Sequence, residues 1–98
     1  MISLEEAKNY LKVDSGYDDS LVNALIIASE VLCCDIARLS DSDWEEICSD
    51  DASRRRELMR AAVLYALGYL YEHREEADHH DLVMTLRNIL FSFREGIL

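Results

Sequence analysis

Leu58 to Tyr71, LMRAAVLYALGYLY, contains a single charged residue, Arg60. Wound at about 3.6 residues per turn, it is apolar on every side. Leu58, Ala62, Tyr65 and Tyr69 form one stripe, Met59, Val63, Ala66 and Leu70 a second, and Leu64, Leu67 and Tyr71 fall between them. A helix of this kind has to be surrounded. The stretch falls short of the roughly 20 apolar residues that span a bilayer, and its flanks, RRRELMR and EHREEAD, are heavily charged. The reading is an all-α fold, a small bundle of four to five helices around a long central helix over about 53–75. Such a bundle is too small to hide all of that helix's apolar surface.

Composition agrees. The chain has 98 residues, half of them hydrophobic, with no proline and three glycines, so long helices are permitted almost everywhere and tight hairpins almost nowhere. A chain of this size buries roughly two-thirds of its unfolded surface, which predicts one domain, 1–98, with a genuine core. Twenty acidic residues against ten basic ones give a net charge of −10. That is the wrong sign for gripping phosphate, although a like-charged wall lets a polyanion pass without sticking. The opening MISLEEAKNYL lacks the basic start and apolar run of a signal peptide. The expectation is a cytosolic chain, with Cys33, Cys34 and Cys48 reduced and no membrane partner.

Ser3-Leu4-Glu5-Glu6 reads as a capping box opening a short helix, with Leu4, Ala7 and Leu11 on its apolar edge and its end near Lys12. Turn residues Val13-Asp14-Ser15-Gly16 follow. Asp18 is expected to cap a second helix and Asp19 to favour the positive end of its dipole. Val22, Leu25, Ile26, Ser29, Leu32, Cys33 and Ile36 make its inward stripe, yet Ile27, Val31 and Cys34, spaced i, i+4, i+7 with Ala24 beside them, make a second one. LSDSDWEEICSDD, residues 39–51, is acidic and rich in cap-type residues, and reads as a loop carrying a short helical turn anchored by Trp44 and Ile47. Asp51 or Ser53 then starts the central helix. After the polar connection HREEADHHD, Asp81 is expected to cap a last helix that Gly96 stops. Its inner face carries Leu82, Leu86, Ile89, Leu90 and Phe93, while Met84 and Phe91 project the other way.

Little of this advertises chemistry. His79 and His80 are neighbours and His73 lies six residues before, whereas a helical zinc pair wants i, i+3 or i, i+4 spacing. Neither Cys34 nor Cys48 has a partnering base or oxyanion loop marked in the sequence. We therefore expect no catalytic residue, metal or cofactor. Arg54, Arg55 and Arg56 sit at a helix start, where the dipole disfavours cations, and are candidates for a phosphate or acidic-partner contact or for a solvated turn balancing Asp50 and Asp51. The doubled apolar faces are the stronger feature, since contiguous exposed apolar surface marks contact with another protein.

In order, the elements resemble the gp6-like head-tail connector (adaptor) proteins of tailed phages and prophages. SLEEAKNYLKVD, YDDSLVNALIIAS, RRRELMRAAVLYALGYLYEHREEA and LRNILFSFREG carry the likeness. The family's Leu-x-x-x-Lys-x-x-Leu opening falls on Leu4, Lys8 and Leu11, and its Asp-Asp-x-Leu entry on Asp18, Asp19 and Leu21. Its Leu-Tyr-x-x-Arg helix end falls on Leu70, Tyr71 and Arg74, and its closing Leu-x-x-aromatic-Arg on Leu90, Phe93 and Arg94. In place of the family's frequent Thr-Gly-Arg-like turn and proline, this chain has Ile36-Ala37-Arg38 and no proline, which leaves the path of residues 38–53 open.

The resemblance implies a non-enzymatic homo-oligomeric ring docked on the phage portal protein. It would extend the DNA channel, serve DNA packaging and head completion, and offer a platform to a tail or head-completion protein. The place implied is the virion head-tail junction, reached from the host bacterial cytoplasm. Ile27, Val31, Cys34, Met84 and Phe91 are then candidates for the subunit interface, and Arg54, Arg55, Arg56 and Arg94 for partner contacts. Tyr69, Tyr71 and Arg74 would close the core at the end of the central helix. The other class compatible with the residues is a small cytosolic helical adaptor or regulator acting through a helix groove.

Overall fold

The computed structural model describes residues 1–14, 16–50, 53–76 and 78–94, with the side chains of Tyr17 and Arg94 outside that set. Six α-helices are present among the described residues and no strand: α1 Leu4–Leu11, α2 Asp19–Ala37, α3 Asp41–Ser49, α4 Arg54–Glu72, α5 His80–Ile89 and α6 Phe91–Arg94. A single 3₁₀ turn, Gly16–Asp18, leads into α2. The all-α bundle around a long central helix is as expected, with six helices in place of four to five.

α4 pairs most extensively with α2 and is also flanked by α1, α5 and α3. Its core residues Met59, Ala62, Val63, Ala66 and Leu67 are all fully buried. Across the bundle α2 supplies Val22, Ile26, Ser29, Cys33 and Ala37, α5 supplies Leu82 and Leu86, and Leu90 and Phe93 finish the layer. Small residues are prominent where α2 and α4 bury themselves, with Ser29 on one and Ala62 and Ala66 on the other, and they permit close approach of two backbones. Burying one leucine contributes about 1.5–3 kcal/mol and a helix cap typically about 1 kcal/mol. The core therefore holds the fold and the caps set where its helices begin.

Those caps come from short polar side chains. The Ser3, Ser40 and Ser53 hydroxyls accept from the amides of Glu6 at 3.1 Å, Asp43 at 3.2 Å and Arg56 at 3.0 Å. Ser53 thus opens α4; Asp51, the other candidate, lies outside the described residues. α1 and α2 end on Lys12 and Arg38, both left-handed with φ of 60° and 59°.

Four expectations are corrected. Residues 41–49 form a full helix, α3, because Ser40 and Asp43 close a reciprocal capping box and Ile47 gives it a buried anchor. Asp18 stands at the N-cap of α2 without a capping bond; its carboxylate instead accepts from the Tyr71 hydroxyl at 2.9 Å. α5 begins one residue before Asp81, whose charge lies in the first turn, and Asp78 takes the His80 amide at 2.9 Å. The last helix is also not continuous: it breaks at Leu90 and resumes as α6. Gly96 lies outside the described residues, as does Ser15.

The one charged residue within the central apolar stretch is satisfied at a distance of 54 positions in sequence. Arg60 holds the Glu6 carboxylate with both terminal nitrogens and also donates to the Met1 carbonyl at 3.4 Å. The Arg60 bond is the main cause that holds the Glu6 carboxyl below the usual carboxylate range, with the Ser3 amide a smaller contributor. A carboxyl depressed in the folded state adds stability above its unfolded pKa, and that stability is lost as pH falls through the folded value. Glu6→Gln should therefore lower stability at pH 7, with the difference from the parent shrinking below about pH 4. Urea unfolding at pH 7 and at pH 3 checks this; a gap that stays constant across pH would show that the charge pair is not its source.

Candidate functional site

Among the described residues six large apolar side chains stay exposed: Tyr10, Ile27, Val31, Tyr65, Met84 and Phe91. Four of them belong to the two stripes singled out in the sequence. On α2, Ile27 and Val31 are 63% and 54% exposed, with Cys34 one turn on half-buried. They stand roughly a third of a turn around from the Val22–Ile26–Ser29–Cys33 face that packs on the core, given about 100° per residue. On α5 and α6, Met84 and Phe91 are 43% and 52% exposed, opposite the buried Leu82, Leu86 and Leu90.

α2 has a further property. By length and composition it is apolar enough to cross a membrane, alone among the described helices, and core helices share that trait; yet only 28% of its 18-residue window is buried. Much of its apolar surface is therefore not used by the subunit's own core.

The α2 stripe is one wall of a groove of about 280 Å³. α3 and the turn before it supply the other wall through Trp44 and Leu39, while Ile27, Val31 and Cys34 line the α2 side. Glu30, Asp35 and Asp41 ring it with negative charge. Glu30 faces the Met1 amino group at 3.6 Å, and Asp35 and Asp41 have no ion-pair partner among the described residues. Trp44 was anticipated only as an anchor of its own segment. Its role as a groove wall depends on α3 being a complete helix, which the density of Ser and Asp in that segment concealed.

A second, wider groove of about 630 Å³ runs between α1 and the end of α4, lined by Tyr10, Lys12, Tyr65, Gly68, Tyr69 and His73 among others. Here the Tyr10 ring crosses Gly68, where a Cβ would stand 3.2 Å from its edge. Tyr65, in one of the apolar stripes of α4, is 41% exposed, so the described residues leave part of that helix uncovered. At the helix end Tyr69 and Tyr71 are half-buried, whereas Arg74, expected to help close the core, is exposed. Tyr69 stacks on His73 at 4.1 Å and meets His79 edge-on at 6.1 Å. Tyr71 reaches Asp18, and Arg74 lies 4.8 Å over the Tyr71 ring and donates to its carbonyl at 2.6 Å.

The arginine run divides. Arg54 is exposed, whereas Arg55 is half-buried and lies 5.6 Å over the Phe93 ring, and Arg56 is half-buried too. The Arg94 side chain lies outside the described residues. Among those residues no cluster of three His, Cys, Asp or Glu could hold a metal. Burial, with neighbouring Cys34 and Glu30 adding to it, pushes the Cys33 thiol up to about 12. Burial first, then Asp35 and Glu30, takes the Cys34 thiol to about 11. Thiols so raised are poor nucleophiles at neutral pH.

The fold thus defines a small helical protein whose distinctive surface is two apolar stripes, the kind of surface that proteins use to meet other proteins. A scan against protein-family models matches the whole chain, residues 1–98, to the phage gp6-like head-tail connector protein family, and the chain belongs to that family. Its role is that of a structural connector protein at the phage head-tail junction. Searches of curated proteins and of solved structures find no match.

The thiol environments lead to a chemical test. In the native protein at pH 7.5, iodoacetamide should leave Cys33 unmodified and alkylate Cys34 more slowly than a free cysteine by at least tenfold, while in urea both react fully. Mass spectrometry of the digested protein checks this. Rapid native alkylation of Cys33 would mean that α2 is not packed as described.

Proposed function

We propose that the chain assembles into a ring of identical subunits beneath the portal protein at the phage head vertex. The ring continues the DNA channel during packaging and presents its far face to the next head-completion or tail protein. The observation that carries this reading is the pair of exposed stripes, Ile27, Val31 and Cys34 on α2 and Met84 and Phe91 on α5–α6, in a chain of the connector family. Two different patches on one subunit suit a heterologous contact, which closes into a ring when the rotation between neighbours divides a full turn. The net charge of −10 suits a wall that DNA slides past rather than binds. Exposed Arg54, and Arg94 near the chain's end, are placed in this reading on carboxylates of the portal or a neighbour. Assembly takes place in the host bacterial cytoplasm, and the finished ring stays at the head-tail junction.

The test is light scattering coupled to size exclusion over a range of concentration and salt, followed by negative-stain imaging of the large species. The parent chain should give rings with a central hole. Val31→Glu and Phe91→Glu, both at exposed positions, should retain helical circular dichroism and shift at least tenfold toward monomer. Unchanged assembly of both variants would remove these stripes from the interface, and a strict dimer of the parent at every concentration would overturn the ring.

A further inference from the structure

We infer that the two apolar stripes are complementary halves of one contact. The α5–α6 stripe of one subunit seats in the α2–α3 groove of the next copy of this chain. This rests on the ring reading and goes beyond it by stating which face meets which.

Charge complementarity selects the occupant. The α2–α3 half of the molecule, residues 27–49, carries six acidic residues and one basic residue, Arg38. Its groove is lined by the apolar Ile27, Val31 and Trp44 beside the carboxylates of Asp35 and Asp41, which have no ion-pair partner among the described residues. The α5–α6 segment, residues 80–94, carries two arginines against one aspartate, in a chain where acids outnumber bases twofold. At about 100° per residue, Met84, Arg87 and Asn88 share the outer face of α5, Phe91 opens α6 just past the break at Leu90, and all four are exposed. That face is an apolar ridge with a cation in its middle; the groove is an apolar trough with anions at its rim. The ridge is uncovered at Met84 and Phe91, and the groove at Ile27 and Val31, so none of the described residues fills the groove. A ridge-to-ridge or groove-to-groove contact would instead set arginine on arginine or carboxylate on carboxylate, and like charges brought together at an interface cost affinity. Groove and ridge therefore pair head to tail, and each subunit is left with one free half at either end until the circle closes.

Val31, 54% exposed on the groove wall, makes the pairing directly testable. In a Cys34→Ser, Cys48→Ser background, Val31→Cys places an accessible thiol in the groove and Asn88→Cys one on the ridge beside Phe91. Treatment with a short bifunctional maleimide at pH 8 and at assembling concentration should give a ladder of covalent dimers, trimers and higher species. The ladder should be lost when either Val31→Cys or Asn88→Cys is omitted. In parallel, Arg87→Glu should raise the concentration needed for assembly at least threefold at low salt, with the difference narrowing as salt is added. Rings of the doubly substituted variant in the microscope without a ladder that needs both thiols would overturn this pairing and leave the ring reading standing. A covalent dimer that goes no further would overturn head-to-tail contact. No large species of the parent chain under the conditions of cross-linking would overturn both.

Discussion

The requirement to cover α4 shapes the rest of the subunit. Its apolar surface runs around the whole cylinder, and α1, α2, α3 and α5 are arranged as its cover. α2 shares the most extensive contact with it, and the residues the two helices bury include the small Ser29, Ala62 and Ala66. The cover is incomplete. Tyr65 remains exposed on α4, and the covering helix α2 brings apolar surface of its own, at Ile27 and Val31, that none of the described residues hides. A 98-residue chain has too little polar surface and too few elements to bury everything this sequence offers. What is left over is organised into stripes, and in a chain of the connector family those stripes are where neighbours are to be sought.

Polar groups inside the cover are handled by pairing across long sequence distances. Arg60, within the apolar stretch, is met by Glu6 from α1, and Tyr71 at the far end of α4 is met by Asp18 at the start of α2. Lys8 and Asp19, 2.8 Å apart, join α1 to α2 in the same way. These ties are partly exposed and individually weak. Their value is in fixing register: each ties one end of one helix to one end of another, so that hydrophobic burial, which has no direction of its own, acts on a defined arrangement.

The elements that depend on local chemistry were legible in the sequence. Ser53 opens α4 and Lys12 follows α1 at the places expected, because a hydroxyl before an apolar run and a cluster of turn residues after one act over three or four positions. The outward stripes were legible too, since periodicity alone separates Ile27 and Val31 from Val22 and Ile26. The acidic stretch 39–51 was misread because its Ser and Asp residues serve loops and capping boxes equally well, and only the completed Ser40–Asp43 box and the burial of Ile47 decide between them. Asp18 was assigned a local cap when it has a tertiary partner, and no local pattern marks Tyr71 as that partner. The groove wall at Trp44 exists only once α3 does, so half of the candidate contact was out of reach of any one-dimensional reading.

The surplus of negative charge has a consequence for how many copies can gather. Favourable contacts between neighbouring copies would grow in proportion to their number, whereas repulsion among copies each carrying ten unbalanced charges would grow faster than that number only if no salt screened it. The repulsion is felt only over about 8 Å at physiological ionic strength. In a ring of the kind proposed, each newcomer is therefore penalised mainly by its nearest predecessors, and the ions of the medium help determine whether a chain of subunits closes or stops short. Ring closure is then a property of the protein together with its solvent, and a polyanion threaded through the centre enters the same electrostatic balance.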